Sequence, residues 1–218
     1  MWCIQEITPE YRERMYDILD LYALNYNSQQ PVICIDEKPK QLLDNKREPL
    51  KMQPGKPEKY DYEYKRCGTA NVFVAVEPLF GQRITQVTSH RTKKDFAQFM
   101  QVVLTHYPHA QKIHVVADNL NTHNNTSFTE NLLQEDATQL SNKIVWHYTP
   151  KHASWLNMAE TEIAVMDAQC TGKRIKNKDM LTTQIRAWTT QRNIEKRMIK
   201  WTFTKQQADK KLSKYYTE

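Results

Sequence analysis

The sequence predicts an α/β fold, a mixed sheet with helices on both faces. Three observations carry that prediction. An apolar strand-like run precedes a hairpin, strands and amphipathic helices alternate after it, and no internal repeat interrupts the order. At 218 residues one such domain is the default, since a single core of this size buries enough apolar surface.

Residues 6–24 bring Ile7, Tyr11, Met15, Ile18, Leu19 and Tyr22 close to helical spacing, which predicts a leading helix. Pro31-Val-Ile-Cys-Ile-Asp36 is short, apolar and β-branched, the pattern of a buried strand that ends in an acid. Residues 37–68 are polar and carry Pro39, Pro49, Pro54, Gly55 and Pro57, so they read as an extended arm or loose hairpin. Asn71–Val76 and Arg83–Thr88 form a hairpin around Pro78 to Gly81. Thr92 caps an amphipathic helix to Tyr107, with Phe96, Phe99, Met100, Val103 and Leu104 on its apolar stripe. Lys112–Asp118 is a second apolar strand ending in Asp, and Lys143–Tyr148 a third, with a helix between them. Helices follow at about 154–171, 179–197 and 204–215.

Composition narrows the function. No run of about 18 apolar residues exists, and Met1-Trp2-Cys3-Ile4 leads straight into charged sequence, which excludes a membrane span and a cleavable signal; a cytoplasmic protein is expected. A mean hydropathy of −0.77 leaves room for solvated stretches such as the arm. Cysteines at 3, 34, 67 and 170 show no CxxC spacing, which argues against a disulfide framework or zinc ribbon. His106, His109 and His114 flank a helix–strand connection and read as ordinary side chains. Residues 173–214 hold 13 Lys and Arg against 3 Asp and Glu, a net +10 beside −4 for the remainder. That asymmetry fits either a polyanionic partner on one face or a pair of solvated helices.

Two apolar strands ending in Asp36 and Asp118 place carboxylates where open α/β sheets bind ligands, provided the strands are parallel neighbours. One such acid usually caps a helix; two in one chain favour a metal site. A third carboxylate is expected on the helix after the last strand. Leu156, Ala159, Ile163, Met166 and Cys170 define its buried stripe, and Glu160 borders it. Glu162, about 200° further round, is expected to face away. Glu160 also fits a capping box with Asn157, and the two roles are compatible. Three converging carboxylates repel unless cations lie between them, and hard oxygen donors suit Mg²⁺ or Mn²⁺. Two such ions would support phosphoryl transfer on nucleic acid.

At these residues the chain resembles a known family. Cys34-Ile-Asp-Glu-Lys-Pro-Lys-Gln-Leu42, Asp61-Tyr-Glu-Tyr64 with Gly68-Thr-Ala-Asn71, Ala117-Asp-Asn-Leu-Asn-Thr-His123 and His147-Tyr-Thr-Pro-Lys-His-Ala-Ser-Trp-Leu-Asn-Met-Ala-Glu160 resemble DDE transposases, in the bacterial insertion-sequence branch of the mariner superfamily. The likeness continues through Arg192-Asn193 and Trp201-Thr-Phe203. It implies a ribonuclease-H-like, five-stranded fold and a triad of Asp36, Asp118 and Glu160 holding two Mg²⁺ or Mn²⁺ ions. It further implies cleavage at transposon ends and joining into target DNA, usually at TA, by a homodimer.

On this reading residues 1–30 are a linker with the leading helix and 31–218 the catalytic domain, with the helix-turn-helix part of full-length relatives missing. Lys38, Lys40, Lys151, His152, Lys173 and Arg174 are expected to hold DNA phosphates. Asn119 is a candidate to steady a metal-bound water, His123 to act there or cap the next helix, and Trp155 to stack on a base or pack beneath the arm. Two other readings share the fold: a DNA-binding relic without catalysis, and a structure-specific nuclease or ribonuclease.

Overall fold

The computed structural model describes residues 6–217. Met1 to Ile4, and with them Cys3, lie outside the described residues. Five strands form one sheet in the order β3-β2-β1-β4-β5. Their spans are Val32–Asn45 (β1), Tyr64–Glu77 (β2), Gln82–Thr88 (β3), Ile113–Ala117 (β4) and Ile144–Tyr148 (β5). β1, β2 and β3 pair antiparallel, whereas β1, β4 and β5 pair parallel, giving the expected mixed α/β sheet.

Both faces of the sheet are covered, and β2 shows it most plainly. Val72, Val74 and Val76 point to one side, Phe73 and Ala75 to the other, and all five are buried. A strand covered on both faces needs no polar alternation, hence the continuous apolar run at 71–76. On one side α2 (Lys93–Thr105), α3 (Asn125–Asn131) and α4 (Gln134–Lys143) pack through Phe96, Phe99, Met100, Val103, Phe128 and Leu140. On the other side lie α1 (Pro9–Ala23), α5 (Met158–Met166), α6 (Lys178–Ile194) and α7 (Lys205–Leu212). Local chemistry sets the helix starts: Thr8 precedes Pro9 and caps α1, and Thr92 forms a reciprocal capping box with Asp95.

Two expectations change. β1 does not stop at Asp36 but runs to Asn45, because β2 offers a backbone ladder as far as Tyr64 whatever the side chains. The arm is thus a twisted continuation of the sheet, with a bulge between Gln41 and Leu43. Pro39, which has no N–H to donate, is tolerated where the β4 side of β1 is open. The helix expected at 154–171 is also divided. A 3-10 turn, Ser154–Leu156, comes first, Asn157 caps α5, and a π-helical turn follows at Asp167–Thr171.

Gly81 closes the β2–β3 turn with φ 77°, and a Cβ there would sit 2.8 Å from the Lys196 carbonyl carbon. The end of α6 therefore packs directly on this turn. No helix among the described residues is long and apolar enough to cross a membrane. Cys34, Cys67 and Cys170 are free thiols.

Candidate active site

Asp36 sits where β1 parts from β4. Their parallel pairing runs from Val32 with His114 to Cys34 with Val116, and the same register two residues on brings Asp36 level with Asp118. Both acids therefore stand at the carboxyl ends of adjacent parallel strands. Strand alternation sends Asp36 to the same side as Cys34, the side covered by α1 and α5.

Asn157 brings the third acid. Its buried side chain donates from Nδ2 to the Ile35 carbonyl (2.8 Å) and accepts at Oδ1 from the Ala159 amide (3.1 Å). One residue thus ties the start of α5 to the strand position before Asp36, and Glu160 follows in the first turn. The reciprocal capping box is not formed; Asn157 caps Ala159, and the Glu160 side chain does not reach back.

Asp36 feels the other two acids. Burial pushes the Asp36 carboxyl up to about 7, opposed by the Glu37 amide at 2.8 Å and reinforced by the negative charges of Glu37, Asp118 and Glu160. Among the described residues no three His, Cys, Asp or Glu side chains are drawn together as a ready ligand cluster. Asp118 and Glu160 lie near enough for their charges to act on Asp36. The donor set still fits a hard divalent cation: all-oxygen and anionic, with a buried member that is hard to ionise without a positive partner.

Two further residues complete the rim. His123, 1% exposed, places Nδ1 2.5 Å from Asp118 Oδ1 and Nε2 3.1 Å from Glu37 Oε2. Burial lowers its pKa, but hydrogen bonds to the two carboxylates and their charges prevail and raise it to about 9. At neutral pH the ring is an imidazolium between two acids, not a helix cap; Asn124 caps α3 instead.

Glu162 departs from expectation. It does not face solvent but is wholly buried, gripped in two forks by Arg83 (3.0 and 2.9 Å) and Arg192 (2.9 and 3.1 Å). Burial works to raise its carboxyl, and the hydrogen bonds and charges of the two arginines outweigh that and hold it below the usual range. Asn193 adds a reciprocal pair with the Arg83 backbone, at 2.7 and 2.8 Å. The helical spacing carried a signal for Glu162, three after Ala159 and four before Met166, but it equally fits Glu160. Nothing in the local sequence marks Arg83 as its partner 79 residues away.

The basic residues divide into two groups. Lys38 pairs with Asp167 (3.0 Å), Lys40 donates to the Thr171 carbonyl, and Arg174 binds Asn45 and the carbonyls of Asp61, Tyr62 and Glu63. These three hold the π-helical turn and the arm base, a structural use that the sequence reading did not foresee. Lys151, His152 and Lys173 are exposed, and His152 has the left-handed φ of 63° that non-glycine residues rarely adopt. Asn119 is exposed as well. Trp155 packs on Trp201 (6.3 Å) and edge-on to Phe203 (5.5 Å), yet stays 43% exposed.

Comparison with known proteins bears on the family and the fold. The family model described as DDE superfamily endonuclease matches residues 31–182, which include all three acids. No curated protein matches the chain. Among solved structures, the chain is similar to the Mos1 mariner paired-end complex with Mn, at 14% identity and TM-score 0.56, over 90% of this chain and 60% of that one. A pre-cleavage Mos1 transpososome is similar at 14% identity and TM-score 0.51, over 90% and 64%. The chain thus spans less than two thirds of the Mos1 length, and at this identity the likeness is one of fold. With the family model covering most of its length, this chain belongs to the DDE superfamily endonucleases.

Proposed function

We propose that this chain is the catalytic part of a DNA transposase, which cleaves strands at transposon ends and transfers them into target DNA. The observation that carries the reading is the meeting of Asp36 and Asp118 at adjacent parallel strand ends with Glu160 on the Asn157-capped helix. Asp36, Asp118 and Glu160 are the ligands for two Mg²⁺ or Mn²⁺ ions; the Mos1 paired-end complex was solved with Mn. Bound there, such ions supply Lewis-acid activation of the attacking oxygen and charge relief at the leaving oxygen of a phosphodiester.

The chain's own residues do the positioning. The β1–β4 register sets the spacing of the two aspartates, and Asn157 sets the height of Glu160 above Asp36. Lys151, His152 and Lys173 are the exposed side chains offered to the DNA backbone, and Trp155 keeps part of its ring exposed. The domain is taken as 31–218, acting as a homodimer on two DNA ends in the bacterial cytoplasm.

Nicking of supercoiled DNA in Mg²⁺ or Mn²⁺ tests the reading. Activity is expected to disappear in Asp36→Asn, Asp118→Asn and Glu160→Gln. Metal-dependent nicking that persists in all three overturns it. Salt-sensitive DNA binding with no cleavage in the unmodified chain would favour a binding relic.

A further inference from the structure

We propose that His123, itself anchored by Glu37, is a positioning residue that fixes the Asp118 carboxylate for metal binding. The inference rests on the reading of Asp36, Asp118 and Glu160 as the ligand set.

Asp118 lies just beyond the last residue of β4, and its side chain is 37% exposed. A carboxylate at the head of a loop would ordinarily sample several rotamers. Here Oδ1 is held at 2.5 Å by His123 Nδ1, which leaves Oδ2 as the oxygen with no partner among the described residues.

The ring that holds it is fixed by two further contacts, and its backbone by a third. Nε2 meets Glu37 Oε2 at 3.1 Å, Phe96 packs at 4.7 Å between ring centroids, and the Tyr148 hydroxyl donates to the His123 carbonyl at 2.7 Å. With both nitrogens facing carboxylates, the ring has no second orientation that satisfies both acids. Outer partners of this kind orient metal-binding groups and tune their basicity.

Glu37 is placed by the strand it sits on. Successive β1 residues point to opposite sides, so Asp36 and Glu37 divide the work. Asp36 faces the helix of Glu160, whereas Glu37, 5% exposed at its side chain, turns to His123 and to Arg91 at 3.6 Å. One strand thereby supplies a ligand and, through Glu37 and His123, orients the other strand's ligand.

Mn²⁺ binding to the full chain, followed by electron paramagnetic resonance, reads this directly and needs no DNA. Thermal unfolding of the same samples reports folding. His123→Ala is expected to weaken Mn²⁺ binding about 10- to 100-fold. His123→Asn, which keeps a donor near the Nδ1 position, is expected to lose less. Wild-type Mn²⁺ affinity in His123→Ala, with affinity lost in Asp118→Asn, overturns the positioning role and leaves His123 a core side chain. Undiminished Mn²⁺ binding in Asp118→Asn overturns the ligand set itself. Should His123→Ala fail to fold, His123→Asn and Glu37→Ala decide the matter; wild-type affinity in both overturns the proposal.

Discussion

Removing the Glu162 carboxylate should destabilise the protein far more than its local sequence suggests. In Glu162→Ala, Arg83 keeps its full charge at 0% exposure, with only the Gly81 carbonyl (2.8 Å) left to its guanidinium. Breaking a buried pair by deleting one partner costs about 3–5 kcal/mol, because the remaining charge is neither hydrated nor paired. For a chain of this length 1 kcal/mol corresponds to roughly 2–4 °C, so Tm should fall by about 6–20 °C.

Arg192 loses less, since its side chain is 14% exposed and can reach water. The double replacement Arg83→Met with Glu162→Leu removes both buried charges and should recover much of the loss. Urea denaturation followed by circular dichroism gives the free energies, with unchanged m-values required for the comparison. A loss below about 1 kcal/mol in Glu162→Ala would refute the argument, since Arg83 would then have to be hydrated. The pH dependence carries a sign. A carboxyl held below its ordinary value stabilises fully above that value, near 4.3, and its contribution is lost as pH falls through the folded-state pKa. Glu162→Gln should therefore flatten the acid limb of the stability curve.

Asn157→Ala should lose a cap worth about 1 kcal/mol and leave the buried Ile35 carbonyl unpaired at a further ~1–3 kcal/mol. Nicking should fall more steeply than stability, measured side by side, because Glu160 loses its tie to Asp36. Gly81→Ala should cost at least about 1–2 kcal/mol for the left-handed backbone alone, and more because Lys196 is backbone at 2.8 Å; a neutral effect in thermal melts would contradict the packing of α6 on this turn. Arg174→Ala should loosen the arm without unfolding the sheet, visible as faster tryptic cleavage at Lys46, Arg47, Lys51 or Lys59. An unchanged cleavage rate would mean the four hydrogen bonds of Arg174 do not hold it.

Much of the fold was legible along the chain because burial leaves a periodic trace. Runs such as Val72–Val76 and Val115–Ala117 match strands covered on both sides, and the Phe96–Val103 stripe matches a helix laid on one. The acids at 36 and 118 were visible too, since a carboxylate directly after an apolar strand interrupts the pattern. The extent of β1 was not, because its distal half is held by backbone pairing to β2, which leaves no side-chain signature.

The linear order of residues therefore determined the α/β class, the positions of the strands and helices, and the candidate acids. Tertiary structure alone decided which acid does what. Glu160 and Glu162 fit the same helical stepping, and only the arrival of Arg83 from β3 and Arg192 from α6 makes Glu162 a buried anchor and leaves Glu160 without a cationic partner among the described residues. It likewise set His123 between Asp118 and Glu37, and gave Lys38, Lys40 and Arg174 partners within the chain. The physical reason is the same in each case: a charge's role depends on which opposite charge or hydrogen-bond acceptor folding brings within about 3 Å, and that distance is not encoded in spacing along the chain.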